Sequence, residues 1–461
     1  MNLSELIFDR CPNIVASTAV KVGGFYYARS RFGSSYQAYS QQLTSLFRLS
    51  IDAIEDKRLE MLRNTLVYAY ESSVYYRQLF SDAGLTPNLI RCEPKAAIPE
   101  ILNKIPLLTR KDINERFDDL KSKSYKGRVI LHKTSGTTGQ SLRFLLPYAL
   151  RWTKNYAHVY RYYAAQGFYQ GQKRATLGGR YLGRKTNGAV FYNPSENQLL
   201  LGVHALTENS INKYVNALRK FSPALIQGHP SAVKRLINLS HEAGLELPKV
   251  PLVFLTGETL EDSDREFIAS SLRSKPISIY GHGEMCIMAS ELNESNLFHV
   301  DPFFGYTELI PHPTGLQEIV VTSFHNDAMP FIRYRTGDLT LGWHQSDRNG
   351  RHVLERIMGR VDETVLNTKG QPLASVQIRT DISTNVSPCP PYSLIQKKRS
   401  GTYGLLIYRS PHTTETPAIT QAMLQRLKFW LGEDAEISVE FRDIDLIHEG
   451  RGKHKIFIKE V

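Results

Sequence analysis

The sequence predicts an α/β protein with a large N-terminal domain, built on mixed parallel sheets flanked by helices, and a small mobile α+β C-terminal domain. First, 461 residues are about three times the usual length of a single domain, and 41% of them are hydrophobic, enough for sizeable cores. Second, short apolar runs alternate with helical stretches in the middle of the chain, as in parallel βαβ units. Third, antiparallel-looking strands begin beyond Gly305.

The first 105 residues are predicted to be a largely helical lead-in. Residues 1–45 show no clear period, and their Ser/Tyr-rich stretches, such as 34–36, are typical of irregular structure. From Ile51 to Tyr70 apolar residues recur at helical spacing, which predicts one long amphipathic helix. A second, short helix is predicted to begin near Thr109, and a short strand is predicted at residues 129–131.

Three apolar runs in the middle of the chain are predicted to be buried parallel strands. They cover residues 224–226, 252–255 and 277–280. Each run stops at glycine plus polar residues, namely Gly228-His229, Thr256-Gly257-Glu258 and Gly281-His282-Gly283-Glu284. Ligands collect at the carboxyl ends of parallel strands, so a pocket is predicted there, although glycine is also an ordinary turn residue.

The last part of the chain is predicted to contain a domain boundary. Residues 318–322 and 329–334 have the pattern of strands, and Gly359 to Glu363 then interrupts the chain. We therefore predict a large domain over 1–358, a hinge over 359–363 and a small C-terminal domain over 364–461.

Composition excludes several classes of protein. The net charge of +12 is dispersed and accompanies no zinc-finger, homeodomain or RNA-binding pattern, so we expect no nucleic-acid partner. No apolar run approaches the ~20 residues of a membrane helix, and the N-terminus lacks the layout of a signal peptide. The four cysteines lie far apart, which argues against disulfides and CxxC metal sites. We expect a cytoplasmic protein without membrane insertion.

The most informative segment is a six-residue loop of glycine and hydroxyl residues, running from Thr134 to Gly139 after the predicted strand at 129–131. Glycine lets the backbone approach a ligand closely, and N–H and hydroxyl groups donate to phosphate oxygens. The loop is not a Walker A motif, because no Gly-Lys-Ser/Thr closes it.

The loop is the first of a series of motifs in a fixed order. The others are Thr256-Gly257-Glu258, Tyr280-Gly281-His282-Gly283-Glu284, Tyr334-Arg335-Thr336-Gly337-Asp338-Leu339, Gly359-Arg360-Val361-Asp362 and Gly452-Lys453. This set resembles the adenylate-forming superfamily, and most of all its phenylacetate–CoA ligase-like and CapK-like branch. The resemblance spans residues 50–461 and includes the segments 107–110 and 226–231.

The resemblance implies an ATP-dependent, AMP-forming ligase that activates a carboxylic acid as an acyl-adenylate and passes it to a thiol, amine or hydroxyl. ATP and Mg²⁺ are the implied cofactors, with CoA, a carrier protein or a sugar amine as candidate acceptors. A monomer or homodimer is expected.

The resemblance also assigns roles to individual residues. Glu284 would hold Mg²⁺, Lys453 would neutralise charge at the α-phosphate, and Asp362 would be the hinge. The phosphate cradle, which includes Thr137 as a catalytic residue, and the remaining nucleotide contacts would be Thr134, Ser135, Gly136, Thr137, Thr138, Gly139, Gly257, Glu258, Tyr280, Gly281, Asp338 and Arg360. The acid pocket would use residues near Arg180, Gly228, His229, Thr256 and His282.

The sequence departs from the superfamily pattern at Gly283, where a hydroxyl residue that contacts the α-phosphate is usual. His282 either substitutes in part or is a polar turn residue. Some relatives bind structural zinc, but only Cys286 and His299 remain as candidate ligands, so no zinc is predicted. Two alternatives stay open. One is an adenylyltransferase that leaves AMP on its acceptor, as coenzyme F390 synthetase-like relatives do. The other is a degenerate nucleotide-binding scaffold.

Overall fold

The computed structural model of the protein describes most of the chain. The described residues are 6–133, 142–178, 181–183, 188–293, 296–344, 352–360, 364–386, 389–390, 392–409, 417–443 and 457–460.

The chain begins with helices. In order they are α1 (Asn13–Phe32), α2 (Ser34–Leu46), α3 (Ile51–Ser72), α4 (Val74–Asp82), α5 (Pro87–Cys92), α6 (Ile98–Asn103), α7 (Arg110–Glu115) and α8 (Phe117–Leu120). The helices predicted from Ile51 and near Thr109 are confirmed. Helix α3 has Ser50 as its N-cap, and Thr109 and Asp112 form a capping box at the start of α7.

The expectation of irregular structure in residues 1–45 is wrong, because α1 and α2 occupy most of this segment. The buried residues of α1 are Ala16, Val20, Gly24 and Arg31, whereas the large apolar residues Ile14 and Phe25 are exposed. A helix that buries a glycine and an arginine and exposes large apolar residues has no apolar stripe for the sequence to reveal.

The remaining helices lie between or after strands. They are α9 (Asn155–Ala165), α10 (Ile211–Phe221), α11 (Pro230–Glu242), α12 (Asp262–Leu272), α13 (Ser375–Asn385) and α14 (Pro417–Leu431). None of the helices in the described part of the chain combines the length and the apolar character that a membrane span requires.

The strands, in chain order, are β1 (Val129–Lys133), β2 (Arg143–Pro147), β3 (Arg174–Leu177), β4 (Val190–Asn193), β5 (Gln198–Leu201), β6 (Leu225–Gly228), β7 (Leu252–Thr256), β8 (Lys275–Gly281), β9 (Met288–Ser290), β10 (Phe298–Val300), β11 (Gly305–Pro311), β12 (Gln317–Ser323), β13 (Tyr334–Thr340), β14 (Val353–Leu354), β15 (Ile357–Arg360), β16 (Thr364–Leu366), β17 (Pro372–Ala374), β18 (Tyr392–Gln396), β19 (Thr402–Arg409), β20 (Glu436–Asp443) and β21 (Phe457–Lys459). The predicted strand at 329–334 is wrong, since β13 begins only at Tyr334. Arg333 adopts a left-handed φ of 50°, which breaks the extended run.

The largest sheet has nine strands in the order β14-β10-β9-β8-β7-β6-β3-β5-β4. Strands β3, β5, β6, β7 and β8 run parallel, whereas β4 and β9 pair antiparallel with their neighbours. A smaller sheet has the order β11-β12-β13-β15, and β1 and β2 form an antiparallel pair. The predicted α/β fold class and the three predicted buried strands are confirmed.

Both faces of the nine-stranded sheet are covered by helices. On one face Val253 and Leu255 of β7 pack in a cluster with residues of α10, α11 and α12. Phe254, which lies between them, packs on the other face with Tyr160 and Tyr163 of α9. Alternate side chains of a strand point to opposite faces, so β7 is apolar throughout because both faces are buried.

The chain divides into two compact units. The large unit comprises Met1–Leu309, Ile319–Thr336 and Gly342–Arg356, and the small unit comprises Ile310–Glu318, Gly337–Leu341 and Ile357–Val461. Within the small unit, a sheet in the order β20-β19-β18-β21 packs with α13 and α14 around one apolar core. The hinge predicted at 359–363 stays a prediction.

Candidate functional site

Four parallel strands of the large unit end at the same edge of the sheet. Gly178 follows β3, Gly228 ends β6, Thr256 ends β7 and Gly281 ends β8. Because β3, β6, β7 and β8 are consecutive parallel neighbours, these residues line one carboxyl edge. The structure therefore brings together the residues predicted at the ends of the three central strands, at the place where open parallel sheets bind ligands.

His229 and Thr256 are joined directly at this edge. Nδ1 of His229 donates to the carbonyl oxygen of Thr256 at 2.7 Å, because a carbonyl can only accept. This bond leaves Nε2 as the ring nitrogen that can meet a ligand. A β-carbon at Gly178 would lie 3.1 Å from the His229 ring, so the glycine leaves room for this imidazole.

Gly228 and Glu258 have structural tasks at the same edge. A β-carbon at Gly228 would lie 2.8 Å from the carbonyl oxygen of Leu177, so the close approach of β6 to β3 requires glycine. The Glu258 carboxylate accepts from the backbone N–H and the hydroxyl of Ser231, at 3.0 and 2.9 Å. Ser231 lies in the first turn of α11, where the helix dipole favours a negative charge. Gly257, between β7 and Glu258, has a φ of 81°.

The Glu284 carboxylate contacts three side chains. Its residue is only 3% exposed, although it carries a charge. Oε1 accepts from the Tyr334 hydroxyl at 2.9 Å and lies 3.7 Å from Nη2 of Arg110. Oε2 lies 3.1 Å from Nδ1 of His282.

These neighbours keep Glu284 ionised. Burial by itself would raise the pKa of its carboxyl group, but the adjoining His282 imidazole and, more weakly, the Arg110 guanidinium outweigh burial and lower the pKa to about 2. The same burial and the negative charge of Glu284 raise the pKa of the Tyr334 hydroxyl well above its usual value, so Tyr334 remains a donor. The site thus holds one fixed negative charge at neutral pH.

Arg110 and Tyr334 carry no role in the sequence analysis, although both lie in segments that it noted. The backbone joins these segments: Leu108 donates its N–H to the carbonyl of Arg333 at 2.9 Å, and Arg335 donates to the carbonyl of Leu108 at 3.0 Å. The sequence offers one signal for these two residues. Arg110 directly follows Leu107-Leu108-Thr109, and Tyr334 is the first residue of the motif from Tyr334 to Leu339. Spacing along the chain does not reveal that both side chains reach Glu284.

Tyr280 and Gly281 lie at the end of β8, where they pair with Ala289 and Met288 of β9. In the small unit, Asp338 of β13 is the cross-strand partner of Arg360 of β15. Oδ1 of Asp338 lies 3.3 Å from Nε of Arg360, and both side chains are only partly exposed. These two residues, both predicted to contact the nucleotide, therefore lie side by side.

Several predicted residues lie outside the described part of the chain. They are Thr134, Ser135, Gly136, Thr137, Thr138, Gly139, Arg180, Asp362 and Lys453. Their predicted roles stay predictions.

The candidate zinc ligands occupy structural positions. Cys286 is fully buried, and its thiol lies 3.4 Å from the carbonyl oxygen of Glu284. Burial raises the pKa of this thiol well above its usual value, which disfavours the thiolate that binds metal. Within the described ranges, no group of three or more His, Cys, Asp or Glu side chains is arranged to hold a metal ion.

Comparisons with known proteins agree with the motifs. No protein-family model matches the sequence. Protein CapK of Staphylococcus aureus is 25% identical over 390 residues, which are 82% of this chain and 82% of that protein. The phenylacetate–coenzyme A ligase of Pseudomonas putida is 28% identical over 337 residues, or 69% of this chain and 73% of the ligase.

Solved structures show the same fold. A 2-hydroxyisobutyryl-CoA ligase, in the postadenylation state with an acyl-AMP, superposes with a TM-score of 0.66 and covers 89% of each chain at 18% identity. The same ligase in an open conformation with 2-HIB-AMP and CoA gives a TM-score of 0.56. At this identity the likeness establishes the fold alone. In sequence the chain is similar to CapK and to the phenylacetate–coenzyme A ligases, which agrees with the resemblance that its ordered motifs show.

Proposed function

We propose that this protein is an ATP-dependent ligase that joins a small carboxylic acid to the α-phosphate of ATP, with loss of pyrophosphate, and then transfers the acyl group to a thiol. A carboxylate is a poor electrophile, and the adenylate supplies the leaving group that the transfer needs. Reactions at phosphorus depend mainly on positioning and on neutralisation of charge. The protein must therefore hold oxygen atoms of ATP and of the acid in a fixed arrangement.

The observation that carries the proposal is that two distant segments and the neighbouring His282 meet at the Glu284 carboxylate. Arg110 comes from the start of α7, Tyr334 from the start of β13, and His282 from the turn after β8. Burying a charge at 3% exposure costs free energy unless the charge is paired. A carboxylate that its partners hold in one position is preorganised for catalysis.

Glu284 suits the magnesium ion that accompanies ATP. Mg²⁺ is usually held by one or two carboxylates together with phosphate oxygens, so a single ionised carboxylate is a sufficient protein contribution. Oε1 is occupied by Tyr334, whereas Oε2 faces only the His282 imidazole among the contacts described above. We assign Oε2 as the oxygen that would hold the ion, and the ion would neutralise phosphate charge.

The remaining roles follow the family resemblance. The loop from Thr134 to Gly139 would hold the phosphates, Tyr280 would lie against adenine, and Asp338 would accept from the ribose hydroxyls. Arg360 lies 3.3 Å from Asp338 and supports this role by orienting the carboxylate. Lys453 would neutralise the charge that develops at the α-phosphate, and Asp362 would serve as the hinge for the small domain.

The acid would bind at the edge formed by Gly228, His229 and Thr256, with Arg180 as the candidate partner of its carboxylate. Since Nδ1 of His229 is committed to Thr256, Nε2 is the ring nitrogen that would contact the acid at this edge. CoA is the first acceptor to test, because relatives named as phenylacetate–coenzyme A ligases use it. Carrier-protein thiols and sugar amines are the next candidates.

The test is pyrophosphate release from ATP and Mg²⁺ across a panel of aryl, acyl and hydroxy acids, with hydroxylamine to trap the activated acid. We expect release with one class of acid. Lys453→Ala and Glu284→Gln should each reduce this release by about 10²–10³-fold, the usual cost of losing one preorganised contact. Lys369→Ala removes an exposed lysine of the small unit and should leave the rate unchanged.

Other results would point elsewhere. AMP retained on the product would identify an adenylyltransferase. ATP binding without pyrophosphate release for any acid would indicate a nucleotide-binding scaffold and would contradict the ligase proposal. Unchanged activity in Lys453→Ala would remove the proposed role of this lysine.

A further inference from the structure

Two histidines from different elements lie beside Gly283. His132 is the fourth residue of β1, directly before the segment that leads to the loop at Thr134, and His282 precedes Gly283 in the turn after β8. A β-carbon built on Gly283 would lie 3.5 Å from Cε1 and 4.0 Å from Nδ1 of His132. These are ordinary contact distances, so the space next to the His132 ring admits one additional atom without overlap.

Ring nitrogens of both histidines lack hydrogen-bond partners within the described residues. Nδ1 of His132 is buried and unpaired. On His282, Nε2 is buried and unpaired, and Nδ1 lies 3.1 Å from Glu284 without the geometry of a hydrogen bond. A buried polar atom without a hydrogen-bond partner costs about 1–3 kcal/mol. Two such imidazoles at one place therefore indicate that a ligand atom supplies the missing partner.

The His132 ring is held in place. It stacks on Phe144 of β2, with ring centroids 5.2 Å apart and an interplanar angle of 28°. His132 and Phe144 are cross-strand partners in the β1–β2 pair, so the backbone pairing holds the two rings next to each other. A ring fixed in this way is a preorganised donor and loses little conformational entropy when a ligand binds to it.

The charges around the two rings favour an anion. Arg110 lies 3.7 Å from Glu284, and the positive charge of Arg151 acts on His132. Two guanidinium groups, of Arg110 and Arg151, and the single carboxylate of Glu284 therefore act on this place, and the balance among these three charges is positive. An anionic oxygen is the ligand that complements this balance of charge.

We propose that His132 and His282 together form a binding site for a phosphate oxygen of the nucleotide at Gly283, beside Glu284. This inference rests on the proposed function, because the phosphate is that of ATP and of the adenylate formed from it. Gly283 contributes by leaving the space that the oxygen enters. His132 then acts as a substrate-contacting residue, in addition to those that the motifs indicate.

The first test compares binding of AMP and of adenosine by titration calorimetry, since the two ligands differ only in the phosphate. The wild-type protein should bind AMP more tightly than adenosine. His132→Ala should weaken AMP binding about tenfold or more and leave adenosine binding unchanged, as expected for one hydrogen bond to a charged group. His132→Asn should retain most AMP affinity, because its amide nitrogen occupies the position of Nδ1. Equal thermal midpoints of the variants will show that the fold is intact.

The second test uses the space at Gly283. In the His132→Ala background, Gly283→Ser supplies a hydroxyl group beside the lost imidazole and should restore at least part of the pyrophosphate-release kcat. Gly283→Ala, its matched control, supplies the same β-carbon without the hydroxyl and should restore none.

An AMP-to-adenosine affinity ratio that is the same in wild type and His132→Ala would overturn the inference. So would a His132→Asn variant as impaired as His132→Ala with equal stability. Either result would leave the ligase proposal intact as long as the wild type releases pyrophosphate. A wild type that binds neither AMP nor ATP would instead refute the proposed function itself.

Discussion

Replacing Glu196 with glutamine removes the one negative charge that two buried arginines share. Arg31 of α1 contacts Oε1 of Glu196, and Nη2 of Arg174 of β3 lies 2.9 Å from Oε2. The side chains of all three residues are at most 4% exposed. The group ties the N-terminal helix to the edge of the large sheet, so its loss should reduce the stability of the large unit.

The structure indicates the size of the effect. With glutamine at position 196, two guanidinium groups would remain out of water without a counter-charge, and the new NH₂ group would face one of them. Breaking a buried ion pair from one side costs about 3–5 kcal/mol, and we expect a value in this range. Part of the cost is offset at Arg31, whose guanidinium also lies 4.4 Å from the centre of the Tyr156 ring.

The assay is thermal and urea unfolding followed by circular dichroism, at a fixed scan rate. At roughly 2 °C per kcal/mol for a chain of this size, Glu196→Gln should lower the midpoint by about 6–10 °C. The matched control is Glu246→Gln, which makes the same chemical change in an exposed pair with Arg273, where 77% and 51% of the side chains are accessible. Exposed pairs are worth ~0–1 kcal/mol, so this variant should shift the midpoint by no more than about 2 °C.

Arg31→Met provides the decisive comparison. It leaves a balanced pair of Arg174 and Glu196, whereas Glu196→Gln leaves two like charges. If charge balance determines stability here, Arg31→Met must cost less than Glu196→Gln. The reverse order, or a change below about 1 kcal/mol in Glu196→Gln, would refute the reasoning and would mean that water reaches the group.

Two further predictions concern stability. Burial alone would raise the pKa of the Asp301 carboxyl group, but the charges of His158 and Arg161 outweigh burial and hold the pKa well below its usual value. Ionised Asp301 therefore stabilises the fold above about pH 4, and this stabilisation is lost as the pH falls further. Asp301→Asn should therefore be clearly destabilised in urea at pH 7, and its difference from wild type should shrink below pH 4; a constant difference would contradict this. Gly228→Ala places a β-carbon 2.8 Å from the Leu177 carbonyl and should cost about 1–3 kcal/mol in urea unfolding. The control is Gly23→Ala in α1, where the nearest atom to the added β-carbon would lie 4.0 Å away. This variant should leave the free energy of unfolding unchanged or raise it by up to about 1 kcal/mol. Equal losses of stability in the two variants would refute the steric argument.

The sequence was informative where the governing physics is local. Residues 252–255 of β7 are apolar without alternation because both faces of this strand are buried, and this pattern is visible in a single segment. The same reasoning failed for α1, because its Gly24 is required by the close approach of a neighbour: a β-carbon at Gly24 would collide with Asn193 of β4. Because Asn193 is far from Gly24 in the sequence, no local sequence pattern predicts this contact.

The sequence by itself determined the fold class and the order of the motifs, and it indicated Glu284 as a candidate site residue, because each depends on short-range periodicity or on a few adjacent residues. Only the tertiary structure decided which groups surround that carboxylate. Arg110, His132 and Tyr334 come from α7, β1 and β13, separated by between 22 and 224 positions along the chain. Their meeting results from strand pairing and burial, which hold a charge and its partners together at distances that no sequence spacing records.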